Sequence, residues 1–133
     1  MRAIVAAVVG GGIGLLLAAA PALAHHSFAV EFDSNKPLKL TGVVTKVEWK
    51  NPHAYFYIDV TDKTGTVANW GFELTSPNVL MRQGWSRNSL KVGDSVTLEG
   101  FGAKDGSHAG NTTSVVLSTG QRLFAGSSQG PTP

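Results

Sequence analysis

Residues 3 to 24 are uncharged and almost wholly apolar, whereas from residue 25 onward apolar and polar positions alternate. The clearest alternation runs from His53 to Thr61, where Ala54, Phe56, Ile58 and Val60 interleave with Tyr55, Tyr57, Asp59 and Thr61. A period of two over such a run predicts a half-buried strand, one face aliphatic and aromatic and the other amphipathic. Weaker versions of the pattern predict strands over residues 38–49 (Leu40, Val43, Val47 and Trp49), 66–74 (Trp70 and Phe72), 95–102 (Val96 and Leu98), 112–117 and 121–124. Upstream, Phe28, Val30 and Phe32 alternate with Glu31 and Asp33, predicting an extended arm over residues 25–37 that breaks at Asn35-Lys36-Pro37.

Turn residues divide these runs. Asn51-Pro52 ends the first long strand because proline cannot donate to a ladder and restricts the residue before it. Gly42 inside that strand predicts a bulge or a sharp bend. Asp62-Lys63-Thr64-Gly65, Lys91-Val92-Gly93-Asp94 and Lys104-Asp105-Gly106-Ser107 read as turns. Between the third and fourth strands, Ser76-Pro77-Asn78 has a capping serine followed by proline at the first helical position, and Gly84 supplies a stop. The result is a mainly β domain: an OB-like small barrel of five to six strands, with one short helix between strands 3 and 4. A small β-sandwich of similar strand count satisfies the same periodicities and stands as the alternative.

The apolar opening changes the picture from one segment to three. Arg2 gives a short positive start, the run from Ala3 to Ala20 follows, and Ala22-Leu23-Ala24 fits the small-x-small rule for signal cleavage. We therefore expect a secretory signal over residues 1–24, an arm over 25–37, a barrel over 38–125 and a disordered Gly/Ser/Pro-rich tail over 126–133. An uncleaved anchor is the competing reading, disfavoured by the glycines at 10–12 and 14. Cleavage leaves no stable membrane anchor and a periplasmic or secreted protein. Loss of Arg2 brings the net charge from +2 to +1, and no basic cluster remains of the kind nucleic-acid binding needs. With no cysteine in the chain, packing alone must hold the fold even where disulfides form.

That cleavage also defines the most distinctive chemistry. It leaves His25 and His26, two of the four histidines, at the new amino terminus. The free amine and imidazole of His25 can chelate one ion together, an arrangement that resembles a histidine brace. Copper(II) favours such nitrogen donors in tetragonal geometry. Cleavage after Ala22 would instead leave His25 third from the amine, in the amino-terminal copper and nickel arrangement. His53, following Asn51-Pro52 at the mouth of a strand, is the third expected ligand; taken alone it is a loop histidine bonded to nearby backbone. His108 is a weaker candidate in a turn. Glu31, Asp33 and Glu73 are possible oxygen ligands or partners that orient an imidazole. Their simpler readings are a solvated arm for Glu31 and Asp33, and a strand-end charge paired with Lys or Arg for Glu73. Tyr55 and Tyr57 share a strand face with Asp59 and form a possible ligand face. No paired catalytic carboxylates, Ser/His/Asp series or phosphate loop is present, which favours binding over catalysis.

Several of these residues fall in a recurring order: His25-His26-Ser27-Phe28, Asn51-Pro52-His53-Ala54-Tyr55, Trp70-Gly71-Phe72-Glu73 with Ser76-Pro77-Asn78, Gly84-Trp85, and Lys91-Val92-Gly93-Asp94. In this the chain resembles a family of small exported bacterial proteins catalogued as a domain of unknown function. The resemblance implies export and an OB-like fold and leaves the activity to the residues. Three expectations follow: an exported copper-binding protein using His25, His26 and His53, a metal-free module docking a periplasmic partner protein or a saccharide, and an accessory subunit of an exported oxidoreductase.

Overall fold

The computed structural model describes residues 28–126, so the signal segment, His25, His26 and the tail from residue 127 lie outside it. Six strands follow in order: β1 (Phe32–Glu48), β2 (Tyr55–Thr61), β3 (Val67–Glu73), β4 (Ser95–Ala103), β5 (Ala109–Leu117) and β6 (Arg122–Phe124), with the helix α1 (Pro77–Arg82) between β3 and β4. Their spatial order is β3-β2-β1-β4-β5-β6, and β3 also pairs with β5. That extra pairing is parallel, Gly71 to Ala109 through Glu73 to Asn111, while every other ladder is antiparallel. The first five strands thus close on themselves with the helix between strands 3 and 4, an OB-like ring rather than two separate sheets.

β1 can pair with β2 and β4 only because it is long and bends. Its first part lies on β4, Pro37 opposite Phe101 through Val43 opposite Ser95, and its second part on β2, Val43 opposite Asp59 through Glu48 opposite Tyr55. The hand-over falls at Gly42, where a Cβ would stand 2.5 Å from the Asp59 carbonyl oxygen. Only glycine lets the two backbones come so close. The bulge itself comes three residues later: the register shifts between Val44 and Lys46, leaving Thr45 as the extra residue. The shift changes which side chains face inward. Val44 opposes Ile58 and Val47 opposes Phe56, so the inward set passes from even to odd positions. Val43, assigned to the apolar set by spacing, is 45% exposed.

The core that fills the ring contains Phe56, Phe72, Ile58, Leu98, Val96, Val115 and Val44, all nearly inaccessible. Phe56 and Phe72 stack at 5.6 Å between ring centroids across the β2–β3 ladder. α1 closes one end with Leu80, fully buried, and Ser76 Oγ accepts from the Val79 amide at its start. The Gly84-Trp85 pair finishes that plug: Trp85 is 4% exposed, and its indole N–H donates to the Phe124 carbonyl at 2.8 Å. The Lys91–Asp94 turn docks on the bulge, with Gly93 donating to the Val44 carbonyl and Val44 to the Asp94 carbonyl, both at 2.8 Å. Much of the recurring motif order is therefore structural.

The expected extended arm is corrected. Residues 28–31 form a helical turn, and β1 begins at Phe32 instead of after Pro37. The reason is spacing by four rather than two. Phe28 and Phe32 meet at 5.6 Å and Phe28 stands edge-on to Phe101 at 6.1 Å, while Val30 between them is 70% exposed. Asn35-Lys36-Pro37 interrupts the β1–β4 register between Phe32 and Pro37 without ending the strand. Its missing N–H is tolerated because the ladder is already irregular there.

Candidate functional site

The outward face of β2 and β3, the β4–β5 loop and the start of β1 enclose a cleft of about 680 Å³. Register explains its polar wall. Tyr55 lies opposite Glu73, and Tyr57 opposite Gly71, so both tyrosines share an outer face with the carboxylate at the end of β3. Gly71 has no side chain to fill the space, and a Cβ there would stand 2.9 Å from the Tyr57 ring. The opposite wall comes from Val30, Glu31 and Phe32, and the rim from Lys104, Asp105 and His108.

Glu73 is the polar centre. Its Oε1 lies 2.6 Å from His53 Nδ1, with the two side chains 13% and 25% exposed. Its other oxygen accepts from the Tyr55 hydroxyl at 3.3 Å. Chain geometry enforces this meeting: Ala54 donates to the Thr75 carbonyl and accepts from the Leu74 amide, clamping the residue after His53 beside the residue after Glu73. The Asn51–Pro52 peptide bond just before it is cis. Burial holds the Glu73 carboxyl above the usual carboxylate range, opposed by the neighbouring His53, and the charge of Glu31 adds to the rise. The Tyr55 phenol is pushed up to about 12, first by burial and then by the Glu73 charge, so it remains a donor throughout the working range. Both simpler readings from sequence give way here, since His53 and Glu73 bind each other rather than backbone or a Lys or Arg.

The remaining expected residues divide. Glu31 is exposed yet lines the cleft. Asp33 does not line it, and its carboxylate accepts the Asn35 amide at 2.9 Å. His108 lines it too, stacked on Trp70 at 4.6 Å between ring centroids and 22° between planes, which extends the aromatic wall. Tyr55 and Tyr57 both reach the cleft, with Lys50 and Lys46 ammonium groups 5.5 and 5.3 Å from their ring centres. Of the three expected metal ligands, only His53 falls within the described residues, and among these no three His, Cys, Asp or Glu side chains are grouped to hold a metal ion.

Lys104 had no signal in the sequence. Its ammonium donates to the Ala29 carbonyl and its amide to the Glu31 carbonyl, which fastens residues 29–31 onto the β4–β5 loop. The two partners are 75 positions apart, and a lysine bonded to backbone leaves no motif.

Fold and cleft together define an OB-like domain whose open face is that of strands 2 and 3 and the loop between strands 4 and 5, a face on which barrels of this kind commonly bind ligands. Residues 13–113 match a family of unknown function, DUF6152, and the chain belongs to that family. No curated protein matches it.

Proposed function

We propose that this is an exported, periplasmic or secreted protein that binds a divalent metal of copper(II) type through the amine and side chain of His25, the ring of His26 and the ring of His53. The observation that carries this reading is the His53–Glu73 pair. An imidazole that donates Nδ1–H to a carboxylate is held in one tautomer and orientation with Nε2 left as its ligating nitrogen, which is the usual support for a metal-bound histidine. Glu73 would act as the orienting group, and Tyr55, bonded to its second oxygen, would hold it in place.

Position supports the shared site. Residues 29–31 are fastened to the β4–β5 loop by Lys104, and Glu31 is near enough to Glu73 for its charge to raise the carboxyl. His25 is three residues before Phe28, a tether of about 10 Å when extended. The ion would supply a nitrogen-coordinated centre, while the protein fixes the imidazole and keeps a polar wall beside it.

Copper(II) titration of the mature chain, a form carrying one additional amino-terminal residue, and a His53→Ala form tests the reading. The extension is expected to weaken binding by more than about tenfold because it removes the amine–imidazole chelate. His53→Ala is expected to weaken it less, by about tenfold. Equal affinities for all three forms would overturn the proposal.

A further inference from the structure

The cleft shares Tyr55 and Glu73 with the metal reading but offers a further chemistry through Glu31, Tyr57 and His108. We propose that it binds a small organic cation, a primary amine or guanidinium on an aromatic or apolar stem.

Its size comes first. A volume of about 680 Å³ falls in the range of small-molecule sites, which are concave, partly apolar and furnished with a few fixed polar groups. Its walls supply the apolar part: the Tyr55 and Tyr57 rings on one side, Phe32 and Val30 on the other, and the His108 ring backed by Trp70 at the rim. Tyr57 is packed over Gly71, and His108 is stacked on Trp70, so both flat surfaces are formed without a ligand.

The charge is asymmetric. Glu31, Glu73 and Asp105 line the cleft against one lining lysine, Lys104, while Lys46 and Lys50, which stand over the Tyr57 and Tyr55 rings, are both paired with Glu48. Lys104 is committed to the Ala29 carbonyl, and the Asp105 carboxylate is engaged by Ser107, whose amide donates to it at 2.9 Å, with Lys36, bonded to the Lys104 carbonyl, as a smaller positive influence. Glu31 shares this space with Glu73; among the described residues Glu31 forms no salt bridge, and Glu73 pairs with His53 and not with a Lys or Arg. Two carboxylates lining one space repel each other, and a bound cation relieves both. A neutral sugar would also stack on the tyrosines but would leave this repulsion in place. An anionic ligand would add to it.

The test uses the mature chain freed of metal by a chelator, so that its failure is separate from failure of the copper reading. Calorimetric titration with 2-phenylethylamine, with its neutral isostere 2-phenylethanol and with cellobiose isolates the charge. The amine is expected to bind at least about tenfold more tightly than the alcohol, and to weaken as salt is raised. Glu31→Gln, an exposed position that leaves the fold intact, is expected to lower amine affinity by about fivefold and leave the alcohol unchanged. Tyr57→Ala is expected to weaken both. A His25→Ala/His26→Ala form should retain the amine affinity of the parent. Equal affinities for amine and alcohol, a preference for cellobiose, no amine binding up to ~10 mM, or an amine affinity indifferent to Glu31→Gln would each overturn the inference.

Discussion

Glu73 is held in a position that helps the site and costs the fold. Its carboxyl sits above the ordinary carboxylate range because burial disfavours the ion, and the sign of the linkage follows. A folded-state value above the unfolded one means that the native chain holds the proton more tightly, so stability falls as pH rises through that interval and the penalty stands in full above it. Glu73→Gln keeps the shape and one acceptor but never ionises. Thermal unfolding of the metal-free forms should therefore show the variant gaining on the parent between pH 4 and pH 7, starting near the ordinary glutamate value of about 4.3. A constant difference across that range would mean that His53 fully compensates the buried charge. The same variant should bind copper(II) about tenfold less well, the usual effect of removing an orienting carboxylate. Gain in stability with loss of binding is the mark of a group kept for function.

At the scale of elements, β1 carries the geometry of the site because its bulge decides which residues face Tyr55 and Tyr57. Thr45 is exposed, and its hydroxyl accepts from the Asn69 side chain at 3.1 Å. Thr45→Ala should change stability by no more than about 0.5 kcal/mol. Deleting Thr45 is another matter, since a one-residue slip turns a strand over. Either Val47 and Trp49 or Val44 and Leu40 would then point away from the core. We expect loss of cooperative unfolding and of near-ultraviolet dichroism in the deletion form, and a parent-like melt would show that the ring closes without the bulge. The sequence could not reveal this device. Its period of two was legible from Ala54 to Thr61, where no bulge intervenes, and misled at Val43 because an inserted residue and a change of face leave the same trace. The helical turn at residues 28–31 was hidden for a similar reason: Phe28, Val30 and Phe32 fit a strand, and only contact with Phe101, far along the chain, selects the i to i+4 spacing. His53, Tyr55 and Glu73 were each visible as polar residues at strand ends. Their convergence was not, because it depends on the β2–β3 register that sets Tyr55 opposite Glu73.

The described residues form a closed ring with one strand left over, and that strand is where the matched family region and the physical domain part company. The match ends at residue 113, before β5 is complete, yet β6 is built into the core. Leu123 and Ala125 are 5% and 0% exposed, the Ala125 amide donates to the Thr113 carbonyl at 2.8 Å, and the Phe124 carbonyl is the acceptor for the Trp85 indole. Burying a leucine contributes about 2 kcal/mol, and an indole N–H stripped of its acceptor costs about 1 kcal/mol or more. A chain ending at Leu117 should therefore be less stable than one ending at Gly126 by about 3 kcal/mol, lowering the melting temperature by more than about 10 °C in a domain of this size. The cleft lies on β2, β3 and the β4–β5 loop, away from β6, so at a temperature where both chains are folded the shorter one should keep its ligand affinities. Equal melting temperatures would show that β6 is an ornament on the ring. Loss of binding in a chain that is still folded would show that the far edge of the sheet sets the shape of the cleft.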